Sequence, residues 1–261
     1  CALPILVIGA CSGVGVIRGI IASAPTIDDI VATPTGFLST VLDANGNQTA
    51  TLVASGSNRR AVTIDEIPKN LRHAFVAIED ERFYEHNGID VTGIIRAGVK
   101  GVASGFHFSE GASTITQQLL KNTVFTSWTS ESSMADKFER KFQEQYLALQ
   151  LEKVVDKDWI LENYLNAINL GQNTLGVGVA SERYFGKDVS DLTLSECAVL
   201  AAITQNPSKY NPITNPQENS KRRMKVLNNM KDQGYISQEE YDEAVADNVY
   251  DRIQLVNIES E

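Results

Sequence analysis

"IPKNLRHAFVAIEDERFYEH", residues 67–86, is the stretch on which the reading of the fold turns. Leu71, Phe75 and Ile78 recur at helical spacing, and Pro68 stands where a helix can begin without needing its N–H, so the pattern predicts an apolar-faced helix. That helix runs directly into Glu79, Asp80 and Glu81. At a helix C-terminus the dipole disfavours a carboxylate, and two neighbouring acids add like charge. Two readings follow. The segment is a solvated acidic helix end on which Phe83 and His86 pack the turn, or it holds Glu79 as a carboxylate for proton transfer.

Working outward, helical periodicity continues from Ile67 to Leu255, so the body of the chain reads as mostly α. Ahead of it, "TVLDANGNQTATLVA" at 40–54 places Asn45-Gly46 between two runs of strand-forming residues, the signature of a short β-hairpin. The opening "CALPILVIGACSGVGVIRGIIASAP" is apolar up to Arg18 and reads as the end of an N-terminal membrane anchor, with a signal-peptide core or a buried core helix as the alternatives. The chain begins at Cys1 rather than Met, as an excerpt or a processed product does. Three segments result: an anchor remnant at 1–24, a linker and β-hairpin at 25–63, and a helical domain at 64–261. Its last helices, 216–246, read as one ended by Gly234 and one capped by Ser237 with Glu240 three residues on; nothing in them suggests chemistry.

Composition narrows the function classes. A formal net charge of -10 argues against non-specific nucleic-acid binding, so an anionic partner must be met by local basic groups. Cys1, Cys11 and Cys197 have no C-x-x-C spacing, which supports neither a disulfide framework nor a zinc site. Phe106, Phe108 and Trp128 lie in the loops 101–113 and 123–136, where they contact substrate or membrane, or simply pack onto the domain.

Two further stretches carry polar clusters. In "EGASTITQQLLKN", 110–122, Thr114 followed by Gln117 reads as a capping box. The helix it opens has an anion-binding start, and Lys121, about two turns on, reaches a phosphate lying along the helix; the alternative is a well-capped surface helix. In "DKFERKFQEQYLALQLEK", 136–153, the spacing of Phe138, Phe142, Leu149 and Val154 predicts an amphipathic helix. Arg140 and Lys141 share a face with Glu144, either as an exposed salt bridge worth a few tenths of a kcal/mol or as two cations orienting a second functional carboxylate.

The order and content of these stretches resemble the peptidoglycan glycosyltransferase (transglycosylase) domain of class A penicillin-binding proteins, glycosyltransferase family 51. Glu79, Asp80, Phe83, His86 and Gly88 match E-D-x-x-F-x-x-H-x-G, "GASTITQQLLKN" matches the second motif nearly letter for letter, and "RKFQE" matches R-K-x-x-E. "ILENYLNAINLG" and "ASERYFGK" match the fourth and fifth, so the likeness runs from about Ile64 to Ala246.

The resemblance implies a lysozyme-like large lobe and a smaller membrane-proximal jaw lobe, with the active-site cleft between them. It implies polymerisation of lipid II on a growing glycan strand, with inversion to a β-1,4 bond and release of undecaprenyl pyrophosphate. Glu79 is then the general base and Glu144 the second essential glutamate. Asp80, Phe83, Ser113, Gln117, Gln118, Lys121, Asn122, Arg140 and Lys141 bind substrate, the cations stabilising the leaving pyrophosphate. No cofactor is required, although the resemblance leaves room for a divalent cation, Mg or Mn, at the second glutamate. It also implies contact with membrane lipid, a single N-terminal anchor in the bacterial cytoplasmic membrane, an extracytoplasmic catalytic domain, and a C-terminal transpeptidase domain in the full-length protein.

Two positions depart from the family pattern. Asp136 stands where another Arg is common, after a longer loop than usual, and Gln143 stands where many members are basic. The competing readings are a lysozyme-like hydrolase or lytic transglycosylase, which needs no phosphate grip, and a catalytically silent membrane-anchored scaffold.

Overall fold

The computed structural model describes residues 15–26, 32–52, 58–103 and 113–255; Cys1, Cys11, Phe106, Phe108 and most of the expected anchor lie outside the described residues. Residues 15–22 form helix α1, and no helix among the described residues is long and apolar enough to cross a membrane. The chain is mostly α-helical and divides into two compact units, Cys1–Ala32 with Glu85–Asp156 and Thr33–Tyr84 with Lys157–Glu261.

The second unit carries the hairpin and most of the buried core. Strands β1 (Ser39–Leu42) and β2 (Gln48–Leu52) pair antiparallel across a turn in which the Asp43 carboxylate accepts from the Asn45 and Asn47 N–H groups. Gly46 supplies the positive φ, +84°, that such a turn demands. Helix α2 (Lys69–Glu79) packs on α8 (Leu194–Ala201) and α9 (Pro216–Asp232). Because two helices cover it, α2 buries Ala74, Val76 and Ala77 beside the expected Leu71 and Phe75, while Ile78 is only half-buried. Every residue of α8 from Ser195 to Ala201 is buried, as a helix at the centre of a core must be. Its Cys197 is a free, fully buried thiol that burial and the neighbouring Glu196 push up out of the reactive range.

The stretches 160–171 and 180–187 scaffold this unit. They contribute most of helices α6 (Lys157–Ala167) and α7 (Val177–Phe185). Asn166 clamps the Val62 backbone, accepting its N–H at 3.0 Å and donating to its carbonyl at 2.8 Å. The Tyr184 hydroxyl donates to the Leu170 carbonyl at 2.7 Å, and burial raises it above the usual phenol range.

In the first unit, α4 (Ile115–Thr123) packs against α5 (Met134–Leu151). The sequence placed Phe138, Phe142, Leu149 and Val154 on the apolar face of one helix, and the structure corrects this, with Val154 beyond the end of α5. Phe138, Leu149 and Val154 are 56%, 39% and 64% exposed, whereas Gln143, Glu144, Leu147, Ala148 and Leu151 are buried. The physical reason is the tight approach of the Gly88 backbone to Ala148, which fixes the rotation of the helix. A Cβ on Gly88 would stand 2.5 Å from the Ala148 carbonyl oxygen, and its φ of +89° favours glycine. Gly88→Ala should therefore destabilise this unit by about 2–5 kcal/mol, read as a lower urea midpoint with an unchanged slope.

Candidate active site

Glu79 closes α2, whose last turn is held from α9. The Ala77 carbonyl, left without an intrahelical donor, accepts from Asn229 Nδ2 at 2.9 Å and Gln233 Nε2 at 3.1 Å. Asp80 leaves helical geometry at φ -155° while its N–H still bonds the Val76 carbonyl, so the carboxylate of Glu79 is carried on a rigid stub. Its side chain is 13% exposed. The Thr204 hydroxyl donates to its Oε1, and Arg222 Nη2 lies 3.3 Å from the same oxygen. Arg222 is fixed in turn by Gln205 Oε1 at 2.8 Å and by the Tyr210 ring. Tyr164 lies fully buried nearby, its hydroxyl kept protonated first by burial and then by the charges of Glu79 and Asp80.

These partners amend the sequence reading in two ways. The acid-rich stretch alone suggests a carboxylate among like charges, but the fold brings Arg222 to it. Arg222 belongs to the C-terminal helices in which nothing had suggested chemistry. No local signal marks it, because its function lies 143 residues from the group it touches. Phe83 is fully buried, with the Lys157 ammonium 4.5 Å from its ring centroid and Tyr84 edge-on at 5.0 Å. Asp80 is 6% exposed. Both residues lie beneath the surface that Glu79 reaches.

The second cluster lies wholly within the other unit. Glu144 has no exposed side-chain surface; Arg140 Nη1 donates to its Oε1 and Lys141 Nζ to its Oε2 at 2.9 Å. The i to i+4 and i to i+3 spacing brings the three together as predicted, and complete burial of Glu144 removes the reading as an exposed surface bridge. Arg140 Nε also binds Glu131, at 2.7 Å to Oε1 and 3.0 Å to Oε2. Burial alone would lower the Arg140 guanidinium, but the Glu131 and Glu144 carboxylates raise it, so it stays charged. Lys141 Nζ donates at 2.6 Å to Ser113, and the Lys121 ammonium stands 4.6 Å from the centroid of the Trp128 ring.

Both oxygens of Glu144 are thus paired with cations. Among the described residues, no group of three His, Cys, Asp or Glu side chains is placed to hold a metal.

The start of α4 is half of the predicted capping box. Thr114 accepts the Gln117 N–H at 3.2 Å, but the Gln117 side chain does not return to the cap. Its amide turns to the Gly88 carbonyl, which also accepts from the Thr114 hydroxyl at 2.8 Å. Gln117 is consequently buried, while Gln118 is buried only in part and Lys121 and Asn122 remain partly exposed. The two departures have local explanations. Asp136 sits in the first turn of α5, where the helix dipole favours an acid and its N–H caps on Ser133. Gln143 is buried against the C-terminal end of α1, donating to Ser23 Oγ at 3.1 Å and the Ile20 carbonyl at 3.3 Å.

A family profile described as "Transglycosylase" matches residues 45–231. Penicillin-binding protein 1A of Clostridium perfringens (strain 13 / Type A) is 44% identical over 254 residues, covering 93% of this chain and 36% of the relative. Penicillin-binding protein 1F of Bacillus subtilis (strain 168) is 47% identical over 203 residues, covering 77% of this chain and 27% of the relative. The crystal structure of penicillin-binding protein 1A from Haemophilus influenzae aligns with a TM-score of 0.45 at 24% identity, over 83% of this chain and 21% of that one. The chain spans about a third or less of the length of these relatives.

Proposed function

The chain belongs to the transglycosylase family, and from that premise we propose that it polymerises lipid II into peptidoglycan strands, forming β-1,4 bonds with inversion and releasing undecaprenyl pyrophosphate. The observation that carries the reading is the opposite setting of its two glutamates. Glu79 reaches the surface with Thr204 and Arg222 on one oxygen, whereas Glu144 is fully buried with cations on both oxygens. In this reading Glu79 takes the proton from the C4 hydroxyl of the acceptor sugar, and that oxygen displaces pyrophosphate at C1 of the donor. Thr204 and Arg222 fix the orientation of Glu79.

Glu144 is badly placed to attack a sugar, which supports a single displacement and hence inversion. Its work is to hold Arg140 and Lys141, which with Lys121 counter the charge that develops on the leaving pyrophosphate. Ser113, Gln118 and Asn122 offer hydrogen bonds to phosphate and sugar oxygens. Asp80, Phe83 and Gln117 act from beneath, as supports.

Contact with membrane lipid is supported by α3 (Val91–Ala103), which leaves Val91, Ile95 and Val99 more than 60% exposed, and by the partly exposed Trp128. An anchor over 1–24 would keep the enzyme at the extracytoplasmic face of the membrane, where its lipid-linked substrate resides.

Labelled lipid II incubated with the protein in detergent should give a ladder of glycan polymer that a muramidase destroys. Soluble sugar fragments released from preformed peptidoglycan would instead support a hydrolase, and bound but unchanged lipid II would support a silent scaffold.

Glu131 leads to a separate expectation. It covers Arg140 Nε with a carboxylate, the same chemistry a phosphate oxygen presents, so substrate must exchange with it. Glu131→Gln should lower the KM for lipid II about three- to tenfold, the size of one weakened competitor. Initial rates against lipid II concentration measure this, and an unchanged KM would refute the exchange.

A further inference from the structure

Helix α2 stops at Glu79 without a local signal to stop. Helices that end by their own sequence commonly do so at a glycine or asparagine in the left-handed region, and residues 80–86 hold neither. Asp80 departs instead at φ -155° and ψ 75°. One more turn would carry the Glu81 N–H to the Ala77 carbonyl, as the helical bonding pattern requires. Two side chains of α9 stand in that place. Asn229 Nδ2 at 2.9 Å and Gln233 Nε2 at 3.1 Å both donate to the Ala77 oxygen. A carbonyl oxygen has two lone pairs, so the two amides fill it.

The donors are built as a unit. Arg222, Asn229 and Gln233 stand at i, i+7 and i+11, which is one face of α9, with the buried Val226 between them. The Gln233 N–H bonds the Asn229 carbonyl at 2.9 Å, so the two amides lie one turn apart along that face. Arg222 meets the Glu79 carboxylate itself at 3.3 Å, and the amides grip the backbone two residues before it. Gln233 Oε1 is buried with no hydrogen-bond partner. A buried acceptor left unsatisfied costs stability, so packing alone gives no reason for an amide at this position; what the position uses is its donor.

We propose that Asn229 and Gln233 are positioning residues for Glu79: by filling the Ala77 carbonyl they end α2 at that residue and fix where its carboxylate stands. This rests on the reading of Glu79 as the general base, for which a misplacement of about 1 Å costs about a hundredfold in rate. The two amides should therefore act on kcat and leave the KM for lipid II unchanged, because the proposed pyrophosphate contacts lie on α4 and α5.

The test is a double-mutant cycle on the whole protein, with kcat and KM taken from initial rates of lipid II polymerisation. Either amide alone still occupies the carbonyl, so Asn229→Leu and Gln233→Met should each lower kcat about threefold. The double variant should lose about a hundredfold, well beyond the roughly tenfold of independent effects. Amide exchange followed by NMR supplies a readout without turnover. The Asp80 N–H, bonded to the Val76 carbonyl at 2.9 Å, should exchange about tenfold faster in the double variant than in the parent. His73→Leu removes the stacking of His73 on Tyr235, also on α2 but away from Ala77, and should leave kcat at the parental value. If the double variant does not fold, the single variants decide through the same split, a loss in kcat at constant KM that His73→Leu lacks. Additive losses in the cycle, a change confined to KM, or an equal loss of kcat in His73→Leu would each reduce the amides to packing and overturn the proposal. Parental kcat in Glu79→Gln would overturn the base and its positioning together, whereas an inactive Glu79→Gln beside parental kcat in the double variant overturns the positioning alone.

Discussion

Glu79→Gln should reduce polymer formation from lipid II by about 10²- to 10⁴-fold, the usual contribution of a positioned general base. The substitution keeps the shape of the side chain and lets an amide oxygen receive the Thr204 hydroxyl, while the neutral group loses its attraction for Arg222. The fold should survive, because Glu79 is at a helix end and still partly exposed. Binding of lipid II should persist, since the proposed pyrophosphate contacts are on α4 and α5. The decisive measurement is single-turnover polymerisation with saturating lipid II, alongside a binding assay on the same preparation. A folded variant that binds and polymerises at the parental rate would remove Glu79 from the role of base.

Glu144→Leu should cost both stability and activity. Removing one partner from a buried ion pair typically costs about 3–5 kcal/mol. Here the lower end is expected, because Arg140 keeps Glu131 and the Lys141 side chain is 39% exposed and can rehydrate. Thermal unfolding should therefore show a loss of about 3 kcal/mol relative to the parent. Glu144→Gln, closer in shape, separates the two effects. If Glu144 serves to hold Arg140 and Lys141 against the leaving group, Glu144→Gln should lose turnover at temperatures where it remains folded. Retention of full turnover in a folded Glu144→Gln would reduce Glu144 to a packing role.

How far the sequence reaches is clearest in α5. Spacing alone put Arg140, Lys141 and Glu144 on one face, and they do meet. The same periodicity chose the wrong buried stripe, because Phe138 and Leu149 looked like core while the face actually covered contains Gln143 and Glu144. A hydrophobic pattern records which residues prefer burial, but the neighbouring backbone at Gly88 decides which face receives it. The capping motif at Thr114 is a smaller case. Its local half formed as the sequence indicates, and its reciprocal half was diverted by a tertiary acceptor, the Gly88 carbonyl.

Local order in the chain determined the hairpin at Asn45-Gly46, the helix that delivers Glu79, the caps at Thr114 and Ser237, and the three-residue charge cluster of α5. Each depends on interactions within a few residues, so each can be read from spacing. Tertiary structure decided that Arg222 and Thr204 hold Glu79, that Glu131 covers Arg140, and that Asn229 and Gln233 meet on the Ala77 carbonyl. Those pairings join groups from separate elements, and no periodicity in a single chain encodes which distant side chains packing will bring to the same place.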